Sequence, residues 1–291
     1  MKDLGNLRYF LGLEVDRTAQ GIFLSQRKYL HDVLSTYNMT HCKPLKLPMD
    51  THLKLTADIG DPLTDPSPYQ QLVGKLIYLT LTKPDIAFPI HVLSQFMHKP
   101  TIVHFQAAKR ILRYLSGSSH QGILLASSSA AKLFAYCDSD WAGCPNTRRS
   151  TSGFCILLGQ SPISWKSKRQ SVVATSTAEA EYRSMAFTVY EVMWLKQLLK
   201  DLGLTNMGGT PLYCDNQAAM AISANLVHHE KTKHVDIDCH FLRDKAQEGV
   251  ITPTYIPSTQ QLADILTKQL PSSQHHLLLR KLGVCSSPLS A

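Results

Sequence analysis

"AYCDSDWAG" (135–143) and "LYCDNQAAM" (212–220) share one pattern: an apolar strand runs through Tyr-Cys into an aspartate and then turns small and polar. Tyr and Cys suit a buried strand. A carboxylate at its end has no packing reason, and two strands with the same ending call for a common cause. Around them, "KLFAYCD" reads as a strand, and "GFCILLG" (153–159) with "SPISWKSK" (161–168) as a hairpin about Gly159-Gln160. Residues 176–203 carry a long amphipathic helix closed by Gly203. "PLYCD" is a strand, "NQAAMAISAN" a helix, "KHVDIDCHFLRDKAQEG" a helix, "ITPTYIP" a strand and "TQQLADILTKQL" a helix. Three strands in a meander followed by strand–helix alternation predict an α/β fold, a mixed sheet covered by helices.

Four acids stand out against this frame. Glu179 has a structural task. Ser176-x-x-Glu179 fits a capping box in which Glu179 reaches the Ser176 backbone N–H, and Arg183 follows at ion-pair spacing. Helical steps from Glu181 meet Met185, Thr188, Val192, Leu195 and Leu199, a mostly apolar face where a charge is costly unless paired or bound to metal. The alternative places Glu181 at the edge of the stripe, near the favourable end of the helix dipole. Asp138 could open a turn and Asp215 could cap the next helix. Asp264 lies early in a predicted helix, where an acid is cheap. If the two Tyr-Cys-Asp strands are parallel neighbours, Asp138 and Asp215 reach the same end of the sheet, where open α/β sheets place ligands, with Glu181 and Asp264 converging from helices. Such a cluster requires protons or a multivalent cation. Hard oxygen donors suit one or two Mg²⁺ or Mn²⁺ ions.

The chain has 291 residues, 44% of them hydrophobic, enough for two domains and a sizeable core. The net charge of +8 favours a polyanionic partner. The seven cysteines are odd in number and form no CxxC pair, so they read as reduced core residues of an intracellular protein, cytoplasmic or nuclear. No apolar run reaches membrane-spanning length, and the first residues do not form a signal peptide. Residues 1–50 alternate strand-like and helix-like text, 43–68 read as a long surface connection rich in Pro, Asp and Thr, and 68–116 are mostly helical.

"YCDSDWAGCPNTRRSTSGFCILLG", "SWKSKRQSVVATSTAEAEYRSM", "LYCDNQAAMAI", "KHVDIDCHFLRD" and "YIPSTQQLADILTK" closely resemble the ribonuclease H domain of copia-type retrotransposon Pol polyproteins. "MKDLGNLRYFLGLEV", "YQQLVGKLIYLTLTKPDIAFPIHVLSQFM" and "AAKRILRYLSG" resemble the region that joins polymerase to ribonuclease H in the same polyproteins. The resemblance implies a ribonuclease H-like mixed five-stranded sheet flanked by helices over 130–270. It implies a smaller α+β, mostly helical thumb and connection region over 1–125, and a tail over 271–291. It further implies that Asp138, Glu181, Asp215 and Asp264 bind two Mg²⁺ ions and cleave the RNA strand of an RNA–DNA hybrid, and that Gln217 touches the hybrid. The missing polymerase palm and fingers would be partners. The alternative is a relic that folds or binds hybrid without turnover.

Two departures matter. The loop "PSTQQ" (257–261) lacks the histidine that many relatives outside the copia group carry; His234 and His240 read as structural. No YxDD string occurs, so no template copying is expected from this chain by itself. Arg148, Arg149, Lys166, Lys168 and Arg169 are candidate phosphate contacts or a solvated basic face. Trp141 reads as packing beneath the site, and Asp140 as a supporting acid or part of the turn.

Overall fold

A computed structural model of the chain describes residues 5–205, 207–224 and 236–287. His234 lies outside the described residues. The chain divides into two units, one of residues up to Ser128 together with those from Gln269 onward, the other Ser129–Lys268.

The first unit begins with strands β1 (Tyr9–Phe10), β2 (Leu13–Thr18) and β3 (Gly21–Ser25), antiparallel in that order. A side chain at Gly21 would place Cβ 2.0 Å from the Leu125 carbonyl oxygen, so only glycine lets β3 approach the fourth strand here. Four helices follow: α1 (Arg27–Thr36), α2 (Ser67–Leu79), α3 (Ala87–Ser94) and α4 (Ile102–Ser116). Leu30, Leu72, Leu76, Leu93, Ile111 and Leu112 recur at helical spacing and form their shared core. The long connection between α1 and α2 was expected to lie on the surface. Met49 and Leu55 depart from that and bury in the same core; they end two short alternations, Leu45-Lys46-Leu47-Pro48-Met49 and Leu53-Lys54-Leu55, too brief to stand out from the Pro, Asp and Thr around them. Strand β4 (Gln121–Ala126) then pairs with β3.

The second unit holds the expected mixed five-stranded sheet. Strands β5 (Leu133–Asp140), β6 (Thr151–Leu158) and β7 (Ser161–Arg169) form an antiparallel meander. Helix α5 (Thr177–Asp201) covers β5 and β6. Strand β8 (Thr210–Cys214) joins β5 in parallel, helices α6 (Gln217–Ala224) and α7 (Asp236–Gln247) follow, and β9 (Ile251–Tyr255) runs parallel to β8. The sheet order is β7-β6-β5-β8-β9. Burial of Met185, Val189, Val192 and Leu195 against Cys137, Phe154 and Leu212 supplies the driving force for this packing.

Residues 271–291 were expected to be a tail. The described part, 271–287, instead forms helix α8 (Ser272–Lys281) and strand β10 (Val284–Ser286), and β10 pairs with β4 to complete the first unit's sheet in the order β1-β2-β3-β4-β10. Leu278, Leu279 and Leu282 stand at helical spacing and are buried, which is the physical reason the segment folds.

Candidate metal centre

Parallel pairing of β5 with β8 aligns Ala135 with Leu212 and Tyr136 with Tyr213, so Asp138 and Asp215 leave the same end of neighbouring strands. Strand alternation decides the faces. Ala135 and Cys137 point into the core beneath α5, and Asp138 takes the opposite face, toward a 3₁₀ turn, Leu262–Leu266. The register partner of Asp138 on β6 is Gly153. A Cβ there would lie 2.6 Å from Thr267 Cγ2 and 2.9 Å from Leu266 Cβ, so glycine is what allows the turn to come this close. The Gln261 amide donates to the carbonyls of Cys137 at 2.9 Å and Tyr213 at 3.5 Å, tying the turn to both strands. On the other face, the Ser184 hydroxyl donates to the Asp138 carbonyl at 2.7 Å and fixes α5 beside the site.

The turn differs from the helix expected around Asp264. Gln261 is extended, its side chain caps Ala263, and Thr267 closes the turn onto the Ala263 and Asp264 carbonyls, so a regular helix does not propagate. The result is a buried Asp264 facing Asp138. Oxygens of Asp138, Asp215 and Asp264 lie within 4.8 Å of one another. A second group brings Glu181, Cys214 and Asp215 within the same distance. The four carboxylates expected from the sequence fall into two overlapping groups that share Asp215, and Asp138 is also near enough to Glu181 to be the strongest charge acting on it. Asp138 and Asp264 approach from one face of the sheet, Glu181 and Cys214 from the face covered by α5.

The electrostatics are strained toward negative charge. Asp138, Glu181 and Asp264 are 2%, 3% and 2% exposed. Two carboxylates at this range repel by roughly 3 to 4 kcal/mol at an effective dielectric constant of about 20. Burial, then Asp138, pushes Asp264 up to about 7 against the opposing pull of Lys268. Burial raises Asp138 as well, opposed by Lys268 and the Thr267 hydroxyl. Glu181 stands well above the carboxylate range through burial, Asp138 and Cys214, with the Ser139 N–H opposing at 3.3 Å. Asp140 is pushed up to about 6 by burial and Asp138.

Among the described residues, Lys268 faces this charge. Lys268 Nζ lies 2.8 Å from Asp264 Oδ1 and 3.5 Å from Asp138 Oδ2. Burial pulls its pKa down, but the two aspartates outweigh that and hold it above the usual lysine range. Sequence reading passed over Lys268, although its position four residues after Asp264 is an ion-pair spacing on a helical turn. It also passed over Thr267, whose hydroxyl donates to Asp138, and Ser258, whose hydroxyl donates to Asp215 Oδ2 at 2.5 Å.

The basic residues are spread along the same end of the sheet. Register rows set Lys168 across from Ser152 and Ser139, and Arg169 across from Thr151 and Asp140. Lys166 and Lys168 extend over the Phe187 ring at 5.8 and 5.4 Å. Arg148 is exposed in the β5–β6 loop with φ of 55°, and Arg149 is half-buried beside it. Gln217 is exposed at the start of α6. His240 is exposed on α7. Trp141, expected to pack, is 44% exposed and donates to the Ala174 carbonyl at 3.0 Å.

No family model matches the chain. Curated relatives do. The retrovirus-related Pol polyprotein from transposon RE1 of Arabidopsis thaliana is 44% identical over 290 residues, which is 100% of this chain and 20% of the relative. The corresponding polyprotein from transposon TNT 1-94 of Nicotiana tabacum is 36% identical over 296 residues, 99% of this chain and 22% of the relative. Among solved structures, the N-terminal RNase H domain of a Mycobacterium tuberculosis protein aligns with a TM-score of 0.35 at 12% identity, covering 52% of this chain and 98% of that one. The chain spans about a fifth of the length of its transposon relatives, and by identity sustained along its whole length it belongs to the family of retrovirus-related transposon Pol polyproteins.

Proposed function

We propose that the second unit is a divalent-metal-dependent ribonuclease H that hydrolyses the RNA strand of RNA–DNA hybrids as one part of a transposon Pol polyprotein. The observation that carries this reading is the excess of buried acid at the ends of two parallel strands: Asp138, Asp215 and Asp264 in one group, Glu181 joined to it through Asp215, with Lys268 the facing cation. The donor set fits a hard cation. The carboxylates are oxygen ligands, more numerous than one lysine can neutralise, and held in place by Thr267, Ser258 and the Ser139 N–H.

Asp138, Asp215 and Asp264 would hold one Mg²⁺ or Mn²⁺, and Glu181 with Asp215 would flank a second. Bound divalent ions supply a lowered pKa for an attacking water and charge stabilisation at the phosphodiester. The chain's own groups do the rest. Lys268 neutralises Asp138 and Asp264 until a cation enters. The Gln261 amide keeps the 3₁₀ turn on both strands, which fixes the distance between Asp264 and the strand-borne aspartates. Arg148, Arg149, Lys166, Lys168 and Arg169 would contact phosphates, and Gln217 a nucleotide edge, with the 2′-hydroxyls identifying the RNA strand. The polymerase palm and fingers of a longer polyprotein would be the covalent neighbours, and no nucleotide incorporation is expected from the chain alone.

The direct test is cleavage of a labelled RNA–DNA hybrid with Mg²⁺, beside duplex DNA and single-stranded RNA. Hybrid-specific cleavage abolished by Asp138→Asn supports the reading. A folded chain that binds hybrid without cutting it in Mg²⁺ or Mn²⁺ would leave the relic in its place.

A further inference from the structure

The Tyr-Cys-Asp text places a cysteine directly before each strand-end aspartate, and the two thiols have different surroundings. Register continues from Tyr136–Tyr213 to make Cys137 and Cys214 neighbours on β5 and β8. Cys137 Sγ donates to the Tyr213 carbonyl at 3.4 Å. Cys214 Sγ instead faces Glu181 Oε2 at 3.8 Å, and the sulfur, a Glu181 oxygen and an Asp215 oxygen all fall within 4.8 Å of one another. Glu181 is 3% exposed. Its Oε1 receives the Ser139 N–H at 3.3 Å, and its Oε2 receives the Cys214 thiol at 3.8 Å. A buried carboxylate oxygen whose donor is only a thiol is poorly compensated in its charged form, so a cation bound beside it would be favoured.

The spacing matches a particular kind of ion. Metal–sulfur bonds of about 2.3 Å and metal–oxygen bonds of about 2.0 Å at a tetrahedral angle put sulfur and oxygen roughly 3.5 Å apart. The observed 3.8 Å is within a few tenths of an ångström of that spacing. Mg²⁺ gains little from a thiolate, whereas Zn²⁺, Co²⁺ and Cd²⁺ bind one strongly. Asp215 is half-buried and gives the route inward.

We propose that Cys214, Glu181 and Asp215 form a thiolate–carboxylate site for a thiophilic divalent ion, overlapping the hard-cation site through Asp215 and Glu181. Binding exchanges the Cys214 thiol proton, released to solvent, for a metal–sulfur bond, with no oxidation or reduction. The site itself stands on geometry. Its consequence rests on the nuclease reading: an ion held here occupies Asp215 and Glu181 and blocks Mg²⁺-supported cleavage.

The full chain is titrated with Co²⁺ and Cd²⁺ while the sulfur-to-metal charge-transfer absorption is followed. A saturable band is expected from the unmodified chain and from Cys137→Ser. It should be lost in Cys214→Ser and Cys214→Ala, and lost or displaced to much higher ion concentration in Glu181→Gln, which keeps every thiol. Thermal unfolding of each variant identifies any that fails to fold, and Glu181→Gln carries the test should both Cys214 variants fail. A band that persists undiminished in the folded Cys214 variants, or survives Glu181→Gln unchanged, overturns the proposal, as does its absence from the folded unmodified chain. Mg²⁺-dependent hybrid cleavage is measured in parallel. Cleavage without the band removes the thiolate site and leaves the nuclease reading; the band without cleavage does the reverse.

Discussion

In the first unit, Lys83 is buried with its ammonium 2.5 Å from the Ser118 carbonyl, in the company of Asp85, Tyr114 and His275; in the second, Asp138 is buried among Asp140, Glu181, Asp215 and Asp264. The first group is balanced in charge, although Asp85 Oδ1 has no hydrogen-bond partner among the described residues. The Tyr114 hydroxyl donates to Asp85 and lies 3.2 Å from His275 Nε2, and one base stands against one acid. Its members come from the segment before α3, from α4 and from α8, so the network holds the returning C-terminal helix in its unit. The second group is not balanced. Asp138, Asp140, Asp215 and Asp264 lie within the field of Lys268, Glu181 adds a fifth acid beside them, and burial drives several of them toward the protonated form. Balanced buried charge needs nothing from outside the chain, whereas unbalanced buried charge needs protons or a cation. That difference separates a staple from a binding site without reference to any relative.

Removing one carboxylate from each group tests the distinction most severely. Glu181→Gln should lower Mg²⁺-dependent hybrid cleavage by a factor on the order of 10⁴, about 5 kcal/mol in the barrier, while the fold persists. Asp85→Asn should leave cleavage per folded molecule near that of the unmodified chain. Steady-state rates on folded protein decide it, and equal losses in the two variants would abolish the contrast.

Titration should separate the units by sign. In the second unit, Asp264 moves from 3.8 to about 7 and Asp140 to about 6, so without divalent ions the folded chain holds protons that the unfolded chain releases. Stability from these groups is fully present below about pH 4 and lost as pH rises through 6 to 7, by up to ~4 kcal/mol for Asp264 alone. Added Mg²⁺ should oppose that loss. In the first unit, burial lowers Lys83 from 10.5 to about 8, with Asp85 opposing. Here the unfolded chain binds the extra proton, so stability rises between about pH 8 and 10.5. Denaturant unfolding in EDTA across pH 4 to 10, with and without Mg²⁺, measures both. A flat profile through pH 4 to 7 would mean the acids are not charged against one another. Asp85→Ala comes next in size: it strips the Tyr114 hydroxyl of its acceptor and Lys83 of its nearest acid, at about 3 kcal/mol in unfolding free energy.

Much of this was legible in the sequence, and the parts that were not share a cause. The strands β5 to β9 and helix α5 follow from period-two and helical spacing, which are local. Glu181 was legible because a charge broke an apolar stripe. Strand-end aspartates were legible because the same text occurs twice. Lys268, Thr267 and Ser258 were missed because each acts on a carboxylate brought near only by the fold, and their own text is ordinary. The return of residues 269–287 was missed for the same reason: β10 is a strand only because β4 offers it an edge, and α8 is short, with few apolar positions. The two overlapping groups, in place of one cluster, come from strand alternation. Cys137 and Cys214 take the face covered by α5 while Asp138 takes the other, so Glu181 meets the Cys214 sulfur from the α5 side, and Asp138 and Asp215 both act on its charge.

Glu179 provides the finest test, because it lies on the same helix two residues from Glu181 and its charge is closed. The sequence assigned its return bond to the Ser176 N–H. The structure moves that bond one residue back: Oε2 accepts from the Thr175 N–H at 2.8 Å and the Thr175 hydroxyl at 2.7 Å, while the Ser176 hydroxyl accepts from the Glu179 N–H at 3.1 Å. Oε1 accepts from Arg183 at 2.9 and 3.2 Å. Burial pushes Glu179 up, but the Thr175 bonds and Arg183 together pull it below the ordinary glutamate value. Its contribution to stability is therefore present above the unfolded pKa and lost as pH falls through the folded one. Glu179→Gln keeps the shape, can keep one of the Thr175 bonds and loses the ion pair, so it should cost about 1 kcal/mol in unfolding free energy and leave cleavage per folded molecule intact. Paired with Glu181→Gln, it sets two carboxylates of one helix against each other with solvent, sequence neighbourhood and side-chain type held nearly constant. If Glu179→Gln stops cleavage and Glu181→Gln does not, charge balance is the wrong criterion for the site. If Glu179→Gln changes only stability, and only above the pH at which the carboxylate ionises, the criterion holds at the shortest distance at which this chain allows it to be tested.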